Sequence, residues 1–249
     1  MSGHSKWATT KHKKGAKDQA RAKQFAKLIR QVEVAAREGG GDINANASLR
    51  TMYTKARDAS VPLDTIERAI KRGTGELEGV RYEAVSYEGY APSGVAVIVE
   101  TLTDNRNRTG ADIRNIFSKG GGSMAEPGAV SWQFERRGVL LFPKTSDEEQ
   151  LLEAALEAGA DNLVEDGDHW KVTCAPSDVG GIKDSLEQAG LVADSAEPSL
   201  EPTQVVVVGD EGDAHKVLRL LDALDDLDDT QGVHANYDIP EAFLVAFEG

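Results

Sequence analysis

The sequence is nearly without cysteine: Cys174 is the only one in 249 residues. An internal disulfide is therefore impossible and a cysteine-built metal cluster is excluded, which fits a reducing cytosol. Long apolar runs are missing as well. No stretch approaches the ~18 residues of a membrane span, and the N-terminus lacks the apolar core of a secretory signal. A transit peptide fits poorly, because the Lys-rich start runs directly into a helical pattern. The expected location is the cytoplasm.

Catalytic signatures are absent too. There is no G-x-S-x-G, no H-E-x-x-H and no Cys–His pairing. The glycines of Gly73–Gly79 (GTGELEG) are wrongly spaced for a dinucleotide loop. The loop Gly120–Gly128 (GGGSMAEPG) lacks the Lys-Ser/Thr ending of a P-loop, and reads as a mobile connection. Nothing here calls for an enzyme, a cofactor or a metal.

Acid is scarce in one place only. The first thirty residues hold nine Lys or Arg and a single acid, Asp18. Residues 1–75 carry 16 Lys and Arg against 7 Asp and Glu, a net of +9, whereas residues 76–249 carry 12 against 35, a net of -23. A basic module on an acidic body points to a polyanionic partner.

The basic module divides in two. Residues 1–14 lack apolar periodicity and read as an extended arm. Lys6, Lys11, Lys13, Lys14 and Lys17 can each neutralise a phosphate. Trp7 offers a stacking face for an unpaired base, or a clip onto the following helices. His12 sits among the lysines, but His4 and His12 alone are no metal site.

From about Ala16, Phe25, Leu28, Ile29, Val32 and Ala36 recur at helical spacing and form one apolar stripe. Lys23, Lys27, Arg30 and Arg37 fall opposite it. Lys17 and Arg21 lie nearer the apolar side. Gly39–Gly41 ends this helix. Asn44 or Asn46 caps a second helix with Leu49, Met52, Tyr53 and Ala56 inward. Val61-Pro62 breaks it. A third, short helix carries Leu63, Ile66 and Ile70 and ends at Gly73. Residues 46–58 and 63–72 form a weak outline of a helix-turn-helix.

Beyond Tyr82 strands and helices mix. Gly94–Val99 is a β-rich run. Residues 107–118 make a helix. Val130, Trp132 and Phe134 alternate as a strand, and Val139–Phe142 begins another. A helix over Leu151–Leu156, short strands at Leu163-Val164 and Trp170–Cys174, and a helix through Ile182 and Leu186 follow. Val205–Val208, a helix over Ala214–Leu227 and a strand over Val233–Ile239 complete the chain. The expected fold is α+β and multidomain: an N-terminal helical bundle followed by two small α+β sandwich domains, one inserted into the other. The expected boundaries are 1–79, 80–136 with 201–249, and an inserted 137–200.

A second basic stretch, Thr103–Thr109 (TDNRNRT), follows a strand and opens a helix. Arg106, Asn107 and Arg108 at a helix N-terminus, with Arg114 two turns on, suit phosphate or a nucleic-acid edge. The alternative is helix capping with exposed arginines. The aspartates 222, 225, 226, 228 and 229 oppose the dipole at a helix C-terminus and read as a solvated face that repels phosphates.

Taken together, MSGHSKW with KHKKGAKDQARAKQFAKLIR, TDNRNRT, the glycine loop with VSWQF, and DDTQGVHANYDI resemble the YebC/PmpR family over essentially the full length. The resemblance implies a helical N-terminal domain and two α+β domains, the last inserted into the second. It also implies a non-enzymatic, cytoplasmic regulator of gene expression, and first of all a DNA-binding transcriptional regulator. The alternative is a ribosome-associated translation activator that binds ribosomal RNA. A monomeric free protein is expected.

Overall fold

A computed structural model describes residues 17–240 and 242–244, with residues 17–20 described by their backbone alone. The opening helix, α1 (Lys17–Gly39), buries the expected stripe. Val32, Ala35 and Ala36 are fully enclosed, while Phe25, Leu28 and Ile29 pack at the margin. Their partners come from α2 (Ala47–Asp58) and α3 (Leu63–Thr74). Each fully buried Val, Leu or Ile side chain in this bundle contributes about 1.5–3 kcal/mol.

Asn46, not Asn44, caps α2. Its Oδ1 accepts from the Leu49 amide at 3.0 Å, and its Nδ2 donates to the Ala35 and Gly40 carbonyls at 2.8 Å each. One amide thus starts α2 and ties it to the end of α1. The expected stop at Gly73 is corrected. The helix continues to Thr74, and Gly75 at φ +82° takes the left-handed cap. Gly73 is glycine for another reason: a Cβ there would collide with the Glu33 carbonyl and Ala36 of α1. Glu33 itself is buried and paired to Arg37 Nη2 at 3.2 Å and Arg72 Nε at 2.8 Å.

The second unit is built on an antiparallel sheet. Strand β1 (Glu83–Tyr90) pairs with β2 (Ala96–Thr103), and the sheet order is β3–β1–β2–β9, with β3 Ser123–Ala125 and β9 Thr230–Ala235. Helices α4 (Arg106–Lys119) and α7 (Glu211–Asp225) cover one face. Both faces of β2 are covered. Val95, Val97 and Val99 meet Ile113 and Phe117 of α4 and the leucines of α7, while Ala96 and Ile98 meet Val130, Phe134 and Leu200. That is why this stretch reads as a continuous apolar run rather than an alternation.

The third unit runs β4 (Phe134–Pro143), α5 (Glu148–Glu157), β5 (Asn162–Asp166), β6 (His169–Cys174), α6 (Val179–Gln188) and β7 (Ser195–Pro202). Its antiparallel sheet has the order β5–β6–β4–β7, with both helices on one face. This is the ferredoxin-like β-α-β-β-α-β arrangement. The molecule is therefore α+β and multidomain, with a helical bundle and two sandwiches.

Three expectations on strands need correction. Trp132 is not in a strand: Ser131–Gln133 is one turn of 3-10 helix, and β4 then runs unbroken from Phe134. The apparent alternation arose because Val130 and Phe134 both enter the core behind β2. The final strand is broken as well. At Asn236 the chain leaves β2 and pairs β10 (Tyr237–Asp238) in parallel with β8 (Val206–Val207). Asn236 holds the break, its Oδ1 accepting from the Ala96 amide at 2.7 Å and its Nδ2 donating to Gln133 Oε1 at 2.9 Å.

The glycine loop is also not a bare connection. It contains β3, paired with β1. The Glu88 carboxylate accepts from the amides of Gly128, Val130 and Ser131 at 2.8, 2.7 and 3.0 Å. Burial pushes the Glu88 pKa up, but these three amides outweigh it and hold it below the usual range.

Candidate nucleic-acid interface

The two basic stretches of the sequence meet at one aspartate. Asp229 lies between α7 and β9 and is nearly buried. Its Oδ1 accepts from Arg30 Nη1 at 3.0 Å; its Oδ2 accepts from Arg108 Nη2 at 2.8 Å, Thr109 Oγ1 at 2.6 Å and Thr103 Oγ1 at 3.2 Å. Burial raises the Asp229 pKa, but the Thr109 and Arg108 hydrogen bonds and the charges of Arg108 and Arg30 outweigh it, so the net shift is downward. Asp229 in turn holds Arg108 more firmly protonated, with help from Asp104 at 2.7 Å. Arg30 also donates to the Asp228 carbonyl and lies over the Tyr82 ring at 5.4 Å. Between these groups is an open cleft of about 450 Å³, with Asp112 and Leu227 on its walls.

The rest of α1's basic face is engaged in the same way. Lys23 Nζ meets Asp226 Oδ1 and Lys27 Nζ meets Asp225 Oδ1, both at 2.9 Å. The sequence pattern alone makes these aspartates look like a solvated face. Instead, three of them receive α1, which offsets the unfavourable placement of carboxylates at the C-terminal end of α7. Arg21 projects to solvent and packs its guanidinium over Phe25 at 5.2 Å. Lys6, Trp7, Lys11, His12, Lys13 and Lys14 lie outside the described residues, as does the side chain of Lys17.

Helix α4 differs. Asn105 caps it, accepting from the Arg108 amide at 3.1 Å. Thr109, Ile113 and Phe117 face inward. Spacing then turns Asn107, Arg114, Asn115 and Ser118 outward, with Arg108 and Lys119 flanking them, and all six are exposed. Arg106 stands exposed at the N-terminus, its carbonyl accepting from the Tyr87 hydroxyl at 3.1 Å. Among the described residues, Arg106, Arg114 and Lys119 have no ion-pair partner. Both readings of TDNRNRT are therefore realised: Asn105 caps, Arg108 is tied into the fold, and Arg106, Asn107 and Arg114 remain open. Asn115, Ser118 and Lys119 extend this face and were missed in the sequence. The signal was present, since they follow Asn107, Ala111 and Arg114 at helical spacing.

A separate feature is Trp132. Its indole Nε1 donates to the Ala129 carbonyl at 3.0 Å, and 66% of the residue remains exposed. The ring is pinned at its edge with a face to solvent. Among the described residues, no group of His, Cys, Asp or Glu is placed to hold a metal ion, and no helix is long and apolar enough to cross a membrane.

Comparison with known proteins agrees along the whole chain. Residues 5–76 match the TACO1/YebC protein N-terminal domain, and residues 82–237 match the TACO1/YebC second and third domain. A protein from Acidithiobacillus ferrooxidans named "Probable transcriptional regulatory protein" is 52% identical over 248 residues, covering 100% of this chain and 99% of the relative. A protein of the same name from Rubrobacter xylanophilus is 53% identical over 251 residues, covering 100% of both. The crystal structure of a conserved hypothetical protein from Aquifex aeolicus superposes with a TM-score of 0.82 at 45% identity, over 89% of this chain and 91% of that one. The two domain matches, in order and together spanning most of the sequence, show that this chain belongs to the TACO1/YebC family.

Proposed function

We propose that the protein is a non-enzymatic, nucleic-acid-binding regulator of gene expression acting in the cytoplasm, and most directly a DNA-binding transcriptional regulator. The observation that carries this is the outer face of α4. Arg106 and Arg114 stand without carboxylate partners among the described residues, beside Asn107 and Asn115, on a body with a large acidic excess. Cations left unneutralised in such a body suit phosphate oxygens, and amides beside them suit base edges or sugar hydroxyls. The arm lysines, Lys6, Lys11, Lys13 and Lys14, would add contacts that follow the backbone regardless of sequence. The relatives' name, a transcriptional regulatory protein, supports the same reading.

We further assign domain boundaries at residues 1–79, 80–136 with 201–249, and 137–200, with β4 and β7 carrying the chain across, and a monomeric free state. Retention of a mixed-sequence DNA duplex, measured against salt, tests the function. Binding should weaken with a log-log slope of about -0.9 per phosphate contacted. Charge reversal at Lys11, Lys13 and Lys14 should weaken it further, and unchanged affinity at low salt would remove the arm.

One observation favours a second reading, a ribosome-associated translation activator. Trp132 presents a fixed aromatic face, which suits stacking of an unpaired RNA base more than a closed duplex. Co-sedimentation with ribosomes that is lost in W132A, with no preference among promoter duplexes, would establish that reading over transcription.

A further inference from the structure

Lys23, Lys27 and Arg30 occupy one face of α1 at helical spacing and span ~10 Å along its axis. All three reach toward the end of α7, pairing with Asp226, Asp225 and Asp229. A fourth pair, Lys55 with Glu197 at 2.7 Å, joins α2 to β7. Every ion pair between the helical bundle and the rest of the molecule among the described residues has the same polarity. The bundle supplies the cation and the body supplies the carboxylate. The bundle's apolar cluster, meanwhile, draws only on residues of the bundle itself. Charge therefore dominates this contact, and charge contacts near the surface are weak singly and screened by salt.

The pairs are not equivalent. Arg30 is anchored by the enclosed Asp229, the Asp228 carbonyl and the Tyr82 ring. Lys23 and Asp226 are open to solvent, with 36% and 63% of their side chains exposed. Lys27 and Asp225 lie between these extremes.

We propose that Lys23 and Lys27 form a second phosphate-binding surface, masked in the free protein by Asp226 and Asp225 acting as an internal phosphate mimic. A nucleic-acid backbone displaces the two carboxylates, and the bundle swings about the Arg30–Asp229 anchor to bring α1 onto it. The proposal rests on the nucleic-acid reading above and adds its regulation: part of the binding face is released only in the presence of a competing polyanion.

Zero-length carbodiimide coupling of the full chain tests this, because it joins a lysine amine to a carboxylate only when the two touch. The free protein should yield Lys23–Asp226 and Lys27–Asp225 crosslinks by peptide mass spectrometry. Saturation with a mixed-sequence DNA duplex, or in a second arm with a ribosomal RNA hairpin, should reduce both several-fold. The arm that does so identifies the polyanion. In parallel, D225N/D226N should bind that polyanion roughly three- to tenfold tighter than the wild type. The charge-matched E148Q/E149Q, altered on α5, should bind within about twofold. Crosslinks that persist in a saturated complex, or equal tightening by both variants, overturn the masking while leaving nucleic-acid binding intact. Absence of binding by all three proteins overturns both.

Discussion

Helices α1 and α4 are both basic, and the sequence gives no ground for treating their charges differently. The structure uses them differently. Along α1, Lys23, Lys27 and Arg30 are each met by an aspartate at 2.9 to 3.0 Å. On α4, Arg108 is similarly committed to Asp229, but Arg106, Arg114 and Lys119 have no ion-pair partner among the described residues. The difference comes from what lies opposite. The C-terminal end of α7 places a row of aspartates against α1, while the outer face of α4 looks into solvent. A basic stretch thus reports a capacity for phosphate binding, and the fold decides how much of it is already used.

This contrast can be broken at graded positions, taken in order of effect on stability. Asp229→Ala strips the shared acceptor from Arg30, Arg108, Thr103 and Thr109, leaving the enclosed threonine hydroxyls with each other and the Asn105 carbonyl, and the two arginines with the Asp228 carbonyl and Asp104. It should cost about 3 kcal/mol in urea unfolding, mostly from the lost hydrogen bonds of the enclosed carboxylate. Glu88→Ala, on β1, frees the amides of Gly128, Val130 and Ser131 and should cost about 2–3 kcal/mol, with faster hydrogen exchange at Val130 and Ser131. Lys27→Ala, in a half-buried pair on α1, should cost only about 0.5–1 kcal/mol, and less in high salt. Arg106→Ala with Arg114→Ala, on the open face of α4, should leave stability within about 0.5 kcal/mol of wild type.

Acid sharpens the same ranking. Glu88 and Asp229 both have folded-state pKa values below the usual carboxylate range. In the unfolded chain they protonate at ordinary values, so the unfolded state binds more protons as pH falls. Their contribution is fully present above the ordinary carboxylate range and is lost as pH drops through the lowered folded values. Stability should therefore fall on acidification, and Glu88→Gln should flatten part of that fall. A stability–pH curve unchanged by Glu88→Gln would contradict the role given to the three amides.

The sequence was most legible where a pattern had one physical cause. The α1 stripe, the helix after TDNRNRT and a cap at Asn44 or Asn46, which the structure narrows to Asn46, follow from helical periodicity and backbone geometry; the stop expected at Gly73 falls instead at Gly75, because the role of Gly73 is close helix packing. Legibility failed where two causes mimic one pattern. Val130, Trp132 and Phe134 alternate in the sequence without being a strand: Val130 and Phe134 are buried, Trp132 is exposed, and Glu88 takes the Val130 and Ser131 amides that a ladder would need. Likewise, a helix ending in aspartates looks solvated until the tertiary fold supplies its cations. Local patterning cannot show which distant charges will meet, and that is what separates α1 from α4.

The central claim is that α4 carries open phosphate contacts. The most direct measurement is the salt dependence of duplex binding by wild type and by Arg106→Ala/Arg114→Ala, followed by fluorescence anisotropy. Loss of two phosphate contacts should weaken binding at every salt concentration and make the log-log slope shallower by about 1.8. An unchanged slope and affinity in this fully folded variant would contradict the claim.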